Sequence, residues 1–150
     1  MWKGLLRTSG SAVETILRIA LAVVFFPHGA QKALGWFGGY GLSATMGFFT
    51  GKMGIPPLLA ALAIAAEFLG PIALLFGFLT RIAAFGIFAV MATAVVLVHW
   101  KVGLFMNWAG QYPAGTEGFE YHILGLALAL ALIVRGAGAL SVDRSLAGKK

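Results

Sequence analysis

The sequence predicts an all-α integral membrane protein, a four-helix bundle with a kinked first helix, and three observations point there. The stretch Ile55 to Leu79 reads IPPLLAALAIAAEFLGPIALLFGFL, twenty-five residues with Glu67 as the sole ionisable side chain. At about 1.5 Å per residue it is long enough to cross a hydrocarbon core of about 30 Å. The whole chain of 150 residues is 60% hydrophobic and only 11% charged, with mean hydropathy +0.92. A soluble domain would carry roughly 25% charged residues, so no water-facing surface can be assembled from this composition. Three further apolar runs follow Thr15, Ile82 and Glu120. Residues 1–150 therefore read as a single transmembrane domain.

The first span is expected from Thr15 to Lys32, TILRIALAVVFFPHGAQK. Lys3 and Arg7 precede it, and because Arg18 and Pro27 interrupt the run, it reads as a retained first helix and not as a cleaved leader. Pro27 frees a backbone carbonyl and biases Phe26 away from helical dihedrals, which predicts the kink, with His28 directly beside it. The connection that follows is rich in aromatics and glycine, and Trp36, Phe37 and Tyr40 suit the headgroup level. Residues Ser43 to Phe49 are expected as a short helix lying on the membrane. The second span, Ile55 to Leu79, turns tightly around Gly77 to Arg81 into the third, Ile82 to Val98, which His99, Trp100 and Lys101 close. An irregular loop leads to the fourth span, Glu120 to Leu140, and a short polar tail ends the chain.

Four spans place both termini on one side. That side carries six basic residues, Lys3, Arg7, Arg81, Arg144, Lys149 and Lys150, against three on the other, Lys32, Lys52 and Lys101. The expectation is a multi-pass protein of the cell membrane with both termini cytoplasmic. The same scatter of basic residues around apolar spans explains the net charge of +6 without nucleic-acid binding. With no cysteine, the chain has no disulfide, no thiol exchange and no thiolate-held iron–sulfur cluster.

A carboxylate at bilayer depth is costly unless it faces other helices, is protonated or has a partner. Counting about 1.5 Å per residue from the inner boundaries puts Glu67 about 18 Å and His28 about 20 Å out, at one level. His99, Lys32, Glu120 and His122 fall at roughly 25 to 30 Å, and Arg18 at only about 5 Å, where a long side chain reaches water by snorkelling. The outer half of the bundle thus collects His28, Lys32, Glu67, His99, Glu120 and His122. His28 and Lys32 share a helix face, whereas Glu120 and His122, two residues apart, do not. A bland reading stands beside this: His28 satisfies the carbonyls freed at Pro27, and His99, Glu120 and His122 merely terminate hydrophobic spans.

At these residues the sequence resembles the DoxX family of small membrane proteins, from about Arg18 to Leu146. The resemblance is carried by LR at Leu17 to Arg18, HGAQK from His28 to Lys32, and AEFLGPIALLFGFLTR from Ala66 to Arg81. His99, Glu120 with His122, and GAGALSVDR from Gly136 to Arg144 complete it. The resemblance implies a four-helix membrane protein and, by association, a subunit or accessory of a quinone-linked respiratory or sulfur-oxidising system. It draws attention to His28, Lys32, Glu67, Arg81, His99 and Glu120 without giving any of them a chemical role. The lack of cysteine departs from relatives that work on thiols.

The leading functional reading is a quinone-associated redox subunit with no electron carrier of its own. Glu67 exchanges a proton, His28 bonds the quinone oxygen, and Lys32, His99, Glu120, His122, Trp36 and Tyr40 line or approach the site. Its partners would be membrane lipid and a membrane or redox-complex subunit, with self-association into an oligomer a further expectation. The alternatives are a non-catalytic assembly or structural subunit and a haem- or metal-binding membrane protein, although no ligand-spaced metal motif is present.

Overall fold

The structure, a computed structural model, describes residues 2–113 and 115–148, with Trp2 and Lys3 described by backbone alone. Lys149 and Lys150, counted above for orientation, lie outside the described residues, as does the Lys3 side chain. Every regular element among the described residues is helical. They are α1 (Trp2–Leu5), α2 (Ala12–Leu34), α3 (Gly41–Gly47), α4 (Pro57–Phe76), α5 (Thr80–Ala94), α6 (Glu120–Arg135) and α7 (Val142–Ala147), with π-helical turns extending α3 over Phe48–Lys52 and α5 over Val95–His99.

Among the described residues three stretches are long and apolar enough to cross a membrane: Ala12–Leu34, Pro57–Phe76 and Thr80–His99. The expected fourth span is shorter than its apolar run. Helix α6 stops at Arg135 after 16 residues, about 24 Å, because Gly136 takes φ 83° and Gly138 φ 80°. The chain from Gly136 to Ser141 then folds back under the helices instead of extending α6 to Leu140.

Local signals set the other boundaries. Ser11 caps α2, its hydroxyl accepting from Val13 N–H at 3.0 Å, and Gly35 ends it in the left-handed conformation. Pro56 and Pro57 open α4, where a missing N–H leaves no bond unmade, and Gly77 closes it. Pro27 lies inside α2, whose helical span includes it.

Helix α2 packs chiefly on α4, α4 on α5, α5 on α6, and α6 returns to α2. Their shared core is Leu21, Ala22 and Phe25 of α2, Leu74 of α4, Ala84, Ile87 and Met91 of α5, and Ala129 and Leu132 of α6. Small residues let the backbones approach. A Cβ built on Gly29 would collide with the carbonyl of Glu67 and the Cα of Phe68, so α2 and α4 touch main chain to main chain at the level of the acidic residue. The outward faces are also apolar: Val23, Leu58, Leu62, Leu69, Phe85, Val96, Leu124 and Val134 are all exposed. Such an envelope suits hydrocarbon and not water.

One end of the packed helices is tied by charge. Arg18 does not snorkel to water as expected from its depth; it is 2% exposed and spends its guanidinium on carbonyls. It donates to Leu74 O at 2.8 Å and Ala137 O at 3.0 Å, and also to Leu75 O and Leu140 O. It thereby caps the C-terminal end of α4 and pins the loop after α6, satisfying carbonyl oxygens that the end of a helix leaves unpaired. Arg81 does the same for α6, donating to Ile133 O and Val134 O, and reaches Arg7 O at 3.0 Å. Asp143, 1% exposed, accepts from Leu79 N at 2.7 Å and Thr80 N at 2.9 Å, capping the start of α5 across the tight turn. Leu79 has φ 47° there, a strained value for a leucine that these two bonds help to hold.

Candidate functional site

Glu67 sits on the face of α4 that meets α2, and its backbone is fixed by the Gly29 contact. Its side chain, 9% exposed, lies 2.8 Å from the Lys32 ammonium across the helix interface. This is an ion-pair distance, but Oε2 makes no hydrogen bond of good geometry, so the two groups attract while the oxygen retains acceptor capacity. Lys32 is well placed for the role: it occupies the last turn of α2, where a cation offsets the negative end of the helix dipole. Its side chain is 28% exposed, which gives the pair an opening to the outside.

The partner of Glu67 is therefore Lys32, with His28 standing one turn earlier on the same face of α2. His28 is exposed, its ring 6.4 Å from that of Phe25. Nearby, Phe26 stacks on Phe68 at 6.1 Å, closing α2 on α4 beside it. Beyond Lys32 the chain reverses over the helix end. Gly39 abuts the main chain of Gln31, where a Cβ would collide, and Gln31 donates to Phe37 O at 3.1 Å. The reversal turns Trp36 and Tyr40 outward, 54% and 87% exposed.

His99, Glu120 and His122 form a second cluster. His99 belongs to the π-helical turn after α5, and its ring lies 4.1 Å from that of His122, centroid to centroid. His99 Nδ1 is 2.7 Å from Glu117 O; a carbonyl only accepts, so Nδ1 carries a hydrogen. His122 is 8% exposed and its Nδ1 is buried without a partner. Glu120 diverges from His122, as their spacing implies. It accepts instead from Met106 N at 3.1 Å and Trp108 Nε1 at 2.8 Å, fastening the loop between α5 and α6. Among the described residues no three His, Cys, Asp or Glu side chains gather closely enough to hold a metal ion.

Sequence reasoning missed Glu117, which acts through its carbonyl on His99 and its carboxylate on Asn107 N at 2.7 Å. A main-chain acceptor leaves no trace in residue type. It also missed Glu14, which is 3% exposed and 2.9 Å from Arg135 Nε. An acid opposite a basic residue at the far end of another apolar run was the available signal.

Apolar helices joined by short polar ties, with the Lys32–Glu67 pair between two of them, define a small helical membrane protein. Residues 13–100 match the family model described as DoxX, and the chain belongs to that family. It is 30% identical over 128 residues to a Bacillus subtilis (strain 168) protein named "Putative oxidoreductase CatD", covering 85% of this chain and 82% of that one. Two uncharacterized proteins of Haemophilus influenzae (strain ATCC 51907 / DSM 11121 / KW20 / Rd) are also similar. One is 36% identical over 129 residues, 85% of each chain; the other is 29% identical over 137 residues, 89% of this chain and 83% of its own. No solved structure matches.

Proposed function

We propose that the chain is a quinone-associated subunit of a membrane redox system, built as a four-span bundle that bends at Pro27 and keeps both termini in the cytoplasm. The observation that carries this reading is the Lys32–Glu67 pair at 2.8 Å, set between apolar helices and flanked on the open side by His28. A quinone would supply two-electron, two-proton redox chemistry, with electrons delivered by a partner subunit, since this chain has no carrier of its own. The residues fit its headgroup. Glu67 Oε2 is buried yet lacks a hydrogen-bond donor of good geometry, Lys32 is a cation partly open to the outside, and His28 is exposed one turn below.

In this reading Glu67 holds and releases the proton, and Lys32 stabilises the carboxylate between transfers. His28 bonds a headgroup oxygen from the lipid side. Trp36 and Tyr40 border the approach at headgroup level, where amphipathic rings are at home. The name of the Bacillus subtilis relative, "Putative oxidoreductase", supports a redox setting. Titrating purified protein with ubiquinone and menaquinone analogues tests the proposal. Wild type should bind saturably, and Glu67→Gln and His28→Ala should each weaken binding. No saturable binding, or binding indifferent to both changes, refutes the site and leaves the non-catalytic structural subunit as the better reading.

A further inference from the structure

A cleft of about 540 Å³ opens at the arginine-tied end, lined by Gly4, Arg7, Thr8, Ser9, Arg81, Val134 and Arg135. It shares no residue with the Lys32–Glu67 site, and every charged side chain lining it is an arginine. Thr8 Oγ1 accepts from Gly138 N at 2.6 Å, which leaves its proton to give; Ser9 Oγ accepts from Ser11 N at 3.3 Å and turns its own proton to Glu14. Arg135 commits only Nε, to Glu14 Oε1 at 2.9 Å, and its side chain is 62% exposed. Arg7 is exposed, with its carbonyl, not its guanidinium, bonded to Arg81. Glu14 beside it is buried at 3% and paired with Arg135, and Asp143, 1% exposed, is spent on Leu79 N and Thr80 N. The cleft therefore offers the guanidinium of Arg7, the terminal nitrogens of Arg135 and the Thr8 hydroxyl as donors, and no carboxylate among its lining residues.

The surroundings choose the kind of anion. The cleft lies where α2 and α5 begin and α6 ends, at the edge of the apolar envelope. Val134, which lines it, is 64% exposed, and Val13, Ile16 and Ile82 on the adjoining helix surfaces are 61%, 65% and 49% exposed. A ligand seated there meets guanidinium and hydroxyl groups at one end and an outward hydrocarbon wall at the other. We infer that Arg7 and Arg135 in this cleft bind the phosphodiester of an anionic phospholipid, Arg81 being spent on the carbonyls of Arg7, Ile133 and Val134, with the acyl chains lying along the exposed faces of α5 and α6. Arginine forks match phosphate oxygens, and the leaflet position supplies the ligand in two dimensions.

The test uses the full-length protein in nanodiscs of phosphatidylcholine containing graded phosphatidylglycerol, with bound lipid counted by native mass spectrometry, and a parallel titration with inorganic phosphate. Arg7→Gln is the main variant because the Arg7 side chain ties nothing in the fold; Glu14→Gln/Arg135→Gln removes the second arginine without stranding the buried acid. Wild type should retain phosphatidylglycerol over phosphatidylcholine, and each variant should weaken that preference about fivefold, the effect of one arginine near a membrane surface. Equal retention of the two lipids, or retention unchanged in both variants, overturns the assignment. Saturable binding of inorganic phosphate without lipid preference assigns the cleft to a soluble anion and overturns the lipid proposal.

Discussion

Replacing Lys32 by Met keeps most of the apolar stem and removes the ammonium, leaving Glu67 buried without its counter-ion. At 2.8 Å the gross attraction is about 6 kcal/mol in an effective dielectric of about 20. Desolvation of both groups takes back much of that, and breaking a buried pair by removing one partner costs about 3–5 kcal/mol. Lys32 keeps 28% of its side chain exposed, so water already screens the pair in part. The expected loss falls at about 2–3 kcal/mol. Glu67→Gln should cost less, because the charge it leaves unpaired, on Lys32, is 28% exposed and can be hydrated. The double variant should be more stable than the sum of the singles implies, with a coupling of about 1–2 kcal/mol. Equilibrium unfolding in mixed micelles, followed by tryptophan fluorescence, measures all four species. Additivity within about 0.5 kcal/mol would show that the two groups do not interact, and the assignment of Lys32 as partner would fall with it.

Gly29→Ala should separate α2 from α4, because the added methyl meets Glu67 carbonyl and not a yielding side chain; a loss of about 1–3 kcal/mol or more is expected in the same unfolding assay, and wild-type stability would contradict the close approach. Asp143→Ala strips the caps from Leu79 and Thr80 N–H groups and should cost about 2–4 kcal/mol, with Asp143→Asn recovering part of it; equal stability of all three proteins would refute the capping role. A single cysteine at Ser43, clean because the chain has none, should react with an impermeant thiol reagent from outside the cell; labelling from the cytoplasm alone would reverse the proposed orientation.

Glu67 stood out because a lone charge within twenty-five apolar residues is not needed to end a span, although a packing role hydrogen-bonded to His28 or to a carbonyl at Pro27 was the bland alternative. Its partner did not. Counting residues gives depth but not direction around the helix, and His28 and Glu67 share a level while the His28 ring turns outward. Lysine has a flexible stem long enough to meet an acid from a turn away, which residue counting from a fixed rise ignores. Arg18 shows the same limit more sharply. Depth alone predicts snorkelling, whereas its acceptors are main-chain oxygens of Leu74, Ala137 and Leu140, provided by helix ends and a loop that exist only once the chain has folded. The early stop of α6 was within reach, since Gly136 and Gly138 bracket a single alanine at the end of the apolar run. The contact of His99 with His122 was not, because it depends on how the loop from Trp100 to Phe119 closes, through bonds such as Phe119 N to Gly103 O at 3.1 Å.

The Arg18 knot has a consequence for the order in which the protein is made. Its acceptors lie 56, 57, 119 and 122 residues downstream, so α2 emerges from the ribosome long before the groups that satisfy its guanidinium have been synthesised. During that interval Arg18 has only water near one membrane face as a partner. The segment Ala137 to Asp143, translated nearly last, brings the carbonyls for Arg18 and the carboxylate that caps α5. Insertion of the early helices should therefore stay reversible until that segment arrives, and a ribosome stalled before Gly136 should hold a nascent chain whose first helix is still open to extraction.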